Sequence, residues 1–113
     1  MPHLNFEYAQ ELEVFVDVAE VLEALHHASV NTGHFHADDI KIRAYPTRHY
    51  LVAGSAQLFC HLEVRLLPGR SGTLKAEISQ QLLDCLVKHL PPLASISTNV
   101  ADLADPGYRK ISQ

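Results

Sequence analysis

The chain has 113 residues, 47% of them hydrophobic, which suits one domain with its own core and excludes disorder as the default. Nine basic residues against thirteen acidic ones give a formal charge of −4, with no polybasic block to follow a nucleic-acid backbone or an anionic membrane. No charged-then-apolar signal opens the sequence, and no apolar run approaches the ~20 residues that span a bilayer, so a cytoplasmic protein is expected.

Met1-Pro2 leads directly into a strand expected over about residues 2–8, where Leu4, Phe6 and Tyr8 alternate with His3, Asn5 and Glu7. Proline is small enough at the second position for methionine aminopeptidase to expose it. The new terminus would be a rigid secondary amine, which is a base, whereas an amide is not. With an ordinary α-amino pKa of about 7.7–8.0, roughly a tenth of such an amine is free at pH 7, so cations and desolvation would have to lower it.

A loop is expected through Glu13. Asp17, with Glu20 three residues later, then resembles a capping box, and Val18, Val21, Leu22, Leu25 and Ala28 recur at helical spacing up to Gly33. The second strand, about 40–45, places Ile40, Ile42 and Ala44 on one face and Lys41, Arg43 and Tyr45 on the other.

The pattern then begins again. Leu58, Cys60, Leu62, Val64 and Leu66 alternate with Phe59, His61, Glu63 and Arg65 to give a third strand. The cluster Pro68-Gly69-Arg70-Ser71-Gly72 makes a turn, and Leu74, Ile78, Leu82, Cys85 and Leu86 form one stripe of a helix over 73–90 that ends at Pro91-Pro92. Ile96, Thr98 and Val100 mark a fourth strand, and Asp105-Pro106-Gly107 turns a short polar tail. Both cysteines, Cys60 and Cys85, fall at core-facing positions without disulfide or zinc spacing, as small buried hydrophobes do.

The order is β-α-β, linker, β-α-β, with units of about 2–46 and 58–101 inside a single domain, 1–113. Each unit is long enough for a parallel crossover. The expectation is therefore an α/β fold of the two-layer α+β kind, a four-stranded sheet with both helices on one face. The other face carries Tyr45, Phe59 and Leu67 as well as charges, and a symmetric oligomer would cover it; a half-solvated sheet is the alternative.

A proline-first chain with doubled β-α-β units resembles the tautomerase superfamily. More narrowly, Met1-Pro2-His3 with Glu7, Thr32-Gly33, Phe35, Ile40-x-x-Arg43, His49, Gly54, His61 and Gly69-Arg70 is similar to the 5-carboxymethyl-2-hydroxymuconate delta-isomerase family over roughly 2–100. The resemblance implies a homotrimer, a catalytic amino-terminal proline at Pro2, and no metal or organic cofactor. It also implies a role in aromatic-compound catabolism, in which a proton moves from the 2-hydroxyl of a conjugated dienol to carbon 5. Arg70 matches the arginine of the family's Gly-Arg element and Arg43 an arginine of its second strand. Lys41 stands where the family has another arginine, which keeps charge but loses the planar fork. Arg70, Arg43 and Lys41 are thus the expected ligands of a small polycarboxylate substrate. The tail, Leu103 to Gln113, is shorter than the family's.

Other clusters are weaker. His34-x-His36-x-Asp38-Asp39 has metal-ligand residue types but lies on an expected loop, so a solvated surface is favoured over a metal site. His61 and Glu63 share a strand face as an acid–base pair or a polar contact. No phosphate loop or nucleophile elbow is visible. A non-catalytic oligomeric carboxylate-binding protein, or another tautomerase-superfamily activity such as a phenylpyruvate-type tautomerase, decarboxylase or dehalogenase, stands as the alternative to the isomerase.

Overall fold

Alternation of apolar and polar residues sets the layers of this molecule. The computed structural model describes residues 2–104 and 106–113. Its elements run β1 (His3–Ala9), a 3-10 turn (Gln10–Val14), α1 (Val18–Asn31), a second 3-10 turn (Ala37–Asp39), β2 (Lys41–Thr47), β3 (Phe59–Leu66), α2 (Gly72–His89) and β4 (Ser95–Asp102). The sheet order is β2-β1-β3-β4. Its outer pairs are parallel and its central pair, β1 with β3, is antiparallel. Met1, whose loss would expose Pro2, and Asp105, which opens the expected tail turn, lie outside the described residues.

Leu4, Phe6, Cys60, Leu62, Val64 and Leu66 are fully buried on one sheet face, where Val21 and Leu25 of α1 and Ile78, Leu82 and Leu86 of α2 meet them. Both helices therefore cover the same face, as the stripes predict. Each begins at a side-chain cap: Asp17 accepts from the Ala19 amide at 3.0 Å, and Ser71 accepts from the Leu74 amide at 3.1 Å. Such caps typically contribute about 1 kcal/mol. Gly33, at φ +80°, follows the end of α1 in the left-handed conformation that glycine tolerates.

Two local expectations change. The loop expected through Glu13 is instead a 3-10 turn, because Leu12 is drawn fully into the core and the Tyr8 hydroxyl donates to Glu13 at 2.5 Å. On α1 the stripe includes Ser29, fully buried, whose hydroxyl donates to the Leu25 carbonyl at 2.7 Å and so leaves no orphan polar atom. Among the described residues, no helix is long and apolar enough to cross a membrane.

Candidate active site

Strand direction decides which loops meet. Since β1 and β2 start at the same end, and β3 and β4 finish there, four segments gather around the head of β1. They are the loop from α1 to β2, the turn from β3 to α2, the chain after β4, and Pro2 itself. Pro2 is fully buried, and its carbonyl accepts from the Lys41 amide at 3.1 Å, tying it to the start of β2. Alternation puts it on the helix-packed side, with Leu4.

Arg70 comes from the turn between β3 and α2. Its guanidinium lies 5.2 Å from the centre of the Phe35 ring, and one nitrogen donates to the His34 carbonyl at 3.4 Å. Phe35 is nearly buried, so this aromatic packs against the core and at the same time gives Arg70 a flat seat.

Lys41 and Arg43 point to the opposite, polar face of the sheet, where Lys41 pairs in register with His3 and Arg43 with Asn5. Arg43 is held on three sides. It donates to Asn5 Oδ1 at 2.8 Å and to the Tyr45 hydroxyl at 3.2 Å, and it lies 3.3 Å from His3 Nδ1. The other His3 nitrogen, Nε2, is 2.9 Å from the Tyr108 hydroxyl, and the two rings meet edge to face with centres 5.7 Å apart. Burial, then the charges of Arg43 and Lys41, hold the His3 imidazole below its ordinary value, so it is neutral at pH 7.

Further along the polar face, His61 bridges Ser97 (2.7 Å) and Glu63 (3.0 Å), while Glu63 also accepts from Asn99 and pairs with Arg65. The strand-face contact expected of His61 and Glu63 is present, as part of a cross-strand network. The loop residues His34, His36, Asp38 and Asp39 are mostly exposed, and among the described residues no three His, Cys, Asp or Glu side chains converge as metal ligands would. Cavities of about 380 Å³, between α1 and α2 beside Ala24 and Asp84, and about 320 Å³, beside Glu11 and Tyr50, lie away from these residues. Neither is lined by Pro2, Lys41, Arg43 or Arg70.

The structure thus brings Pro2, Lys41 and Arg70 to one end of the sheet and sets Arg43 one step inward on the polar face. Arg70 and Arg43 are held by different partners. Tyr108 was not legible as a site neighbour; the available signal was a lone aromatic just after a Pro-Gly turn in an otherwise polar tail.

A sequence model of 5-carboxymethyl-2-hydroxymuconate isomerase matches residues 2–101, from Pro2 to the penultimate residue of β4. The chain belongs to this family. Among solved structures, a 5-carboxymethyl-2-hydroxymuconate isomerase from Deinococcus radiodurans R1 is similar at 26% identity and a TM-score of 0.86, over 99% of this chain and 90% of that one. A 5-carboxymethyl-2-hydroxymuconate delta-isomerase shares the fold at 20% identity and a TM-score of 0.81, over 99% of this chain and 89% of that one. A fused 4-OT symmetric trimer shares it at 20% identity and a TM-score of 0.72, over 90% and 87%. No curated protein matches the chain in sequence. As an isomerase-family protein, the chain carries Tyr108 beyond the matched span.

Proposed function

We propose that this isomerase-family protein is a cofactor-independent tautomerase acting on a 2-hydroxymuconate-type unsaturated carboxylate, with Pro2 as its base once Met1 is removed. In this reading the Pro2 amine takes the proton of the substrate's 2-hydroxyl, the electron pair moves through the conjugated chain, and the same amine returns the proton to carbon 5. No metal is needed for such a shuttle. Arg70, Arg43 and Lys41 would bind the carboxylates through charge-assisted hydrogen bonds, each contributing about 1.5–3 kcal/mol. The observation that carries the reading is the coincidence of the family match, which starts at Pro2, with the placement of Pro2 at the head of β1, bonded to the Lys41 backbone amide and at the same end of the sheet as Arg70.

Magnitudes limit what the base alone supplies. Lowering the pKa of the amine by one or two units raises its free fraction at pH 7 by about tenfold at most, or about 1.4 kcal/mol, against the 8 or more that enzymes commonly provide. Substrate positioning and the field of the cations must supply the rest.

The same reading has a homotrimer in the cytoplasm, serving aromatic-compound catabolism. The uncovered polar sheet face and the likeness to a structure described as a symmetric trimer support the assembly. The test is intact mass and turnover of untagged protein beside its Pro2→Ala variant. Protein that lacks Met1 and turns over a 2-hydroxymuconate enol, with a loss of at least a hundredfold in the well-folded variant, is the expected result. Retained turnover in Pro2→Ala would remove Pro2 from the mechanism. Ligand binding without any proton exchange would favour the non-catalytic carboxylate-binding protein.

A further inference from the structure

The contacts of Arg43 raise the question of what aims its guanidinium. An arginine has five N–H donors in one plane. Asn5 and Tyr45 take two of them, and the remaining internal partner is His3 Nδ1, 3.3 Å from a terminal nitrogen of Arg43. Because Arg43 can only donate, Nδ1 must accept, which places the ring proton on Nε2, where it is donated to the Tyr108 hydroxyl at 2.9 Å. A four-residue chain therefore runs from the carboxy-terminal tail to the sheet: Tyr108, His3, Arg43, Asn5.

We infer that His3 is a positioning residue that aims Arg43 at substrate carboxylate, and that Tyr108 of the tail holds His3 in the ring tautomer this requires. The inference rests on the reading of Arg43 as a carboxylate ligand. Among the described residues, Asn5, Tyr45 and His3 leave two N–H groups of Arg43 for a ligand, and their direction is fixed by those three bonds.

The surroundings of His3 make the arrangement sensitive to acid. Lys41 and Arg43 of β2 flank the ring, Arg65 of β3 pairs opposite it, and Tyr108 and Lys110 approach from the tail. The nearest carboxylate on the neighbouring strand, Glu63, is opposite Asn5 and already bonded to His61 and Asn99. Protonation would turn Nδ1 from acceptor to donor and set a cation against the Arg43 guanidinium. His3 serves only when neutral, and its depressed pKa keeps it so to below pH 6.5.

The test separates this inference from the reading beneath it. NMR titration of the His3 ring should give a midpoint below 6.5 that rises in Arg43→Ala and, as burial is relieved, in Tyr108→Ala. A midpoint at the ordinary value that ignores both changes would overturn the chain of contacts, whatever the protein catalyses. In parallel, binding of adipate, a plain dicarboxylate, is measured by calorimetry at pH 7.5 and at one pH unit below the His3 midpoint that the titration gives, with KM and kcat for the enol where turnover exists. His3→Ala should weaken adipate and raise KM about tenfold, with kcat within about twofold, as expected for one lost charge-assisted hydrogen bond. His3→Asn puts an amide oxygen where Nδ1 was; it should restore affinity at pH 7.5 and remove the fall in affinity that the unaltered protein shows below its His3 midpoint. Unchanged affinity in His3→Ala, with a loss in Arg43→Ala, would sink the role of His3 and leave Arg43 in place. Unchanged affinity in Arg43→Ala, or no adipate binding at all, would overturn Arg43 as a ligand and the inference with it. Loss of turnover in Pro2→Ala bears on neither comparison.

Discussion

Cys60 shows how burial silences a reactive group. Its thiol is fully enclosed between β1, β4 and the helices, and burial pushes its pKa up to about 12; Cys85 is raised for the same reason. Neither supplies thiolate at neutral pH, so a thiol reagent at pH 8 should leave the native protein unmodified and label both sites only after denaturation. Cys60→Ser should lower the stability measured by urea unfolding by about 1–3 kcal/mol, because a hydroxyl then stands in a site with no hydrogen-bond partner. Elsewhere buried polar groups are matched: among the described residues no buried side-chain nitrogen or oxygen lacks a partner. Ser29 is the instructive case, since it satisfies itself on its own helix.

Turns and strand faces carry the next layer of consequences. Between β2 and β3, Val52 and Ser55 exchange backbone hydrogen bonds around Ala53 and Gly54, which have φ of +51° and +84°. Glycine accepts that conformation, and alanine is strained in it by about 1 kcal/mol or more. Ala53→Asn should therefore raise the thermal midpoint by a few degrees. On the polar face, burial pushes the Glu63 carboxyl up, but hydrogen bonds from His61 and Asn99 and the charge of Arg65 outweigh it and hold it below the ordinary 4.5. The unfolded chain takes up that proton first on acidification. The stability Glu63 contributes is thus intact above about pH 4.5 and is lost as pH falls through its folded value, and Glu63→Gln should flatten the acid limb of the stability curve. The strands and helices were legible because their signals are local: period-two alternation, a stripe at helical spacing, and a glycine or proline stop. The 3-10 turn that buries Leu12 and the clasp of Tyr108 on His3 were not, since each depends on a contact that the neighbouring sequence does not encode. His3 and Tyr108 are 105 positions apart. The cations show the same division. Their side of the strand followed from alternation, but that Arg43 would be held by His3 and Arg70 seated on Phe35 required the assembled loops.

Among the described residues no layer of helix or strand covers the polar face of the sheet, where Tyr45 is 49% exposed among the charges. If copies supply that layer, sedimentation should give a species of three 12.6 kDa chains, and the thermal midpoint should rise with protein concentration. A monomer with a concentration-independent midpoint would contradict the assembly. Within the chain, the order β2-β1-β3-β4 has a further consequence. Each half owns one inner strand, one edge strand and one helix, and the halves meet along the β1–β3 seam, where α1 packs against α2, and where Arg70 sits on Phe35 and Tyr108 on His3. The exposed stretch 53–57 that joins them contributes no strand to the sheet. The molecule is in effect a dimer written on one strand of peptide, and its unity resides chiefly in the seam.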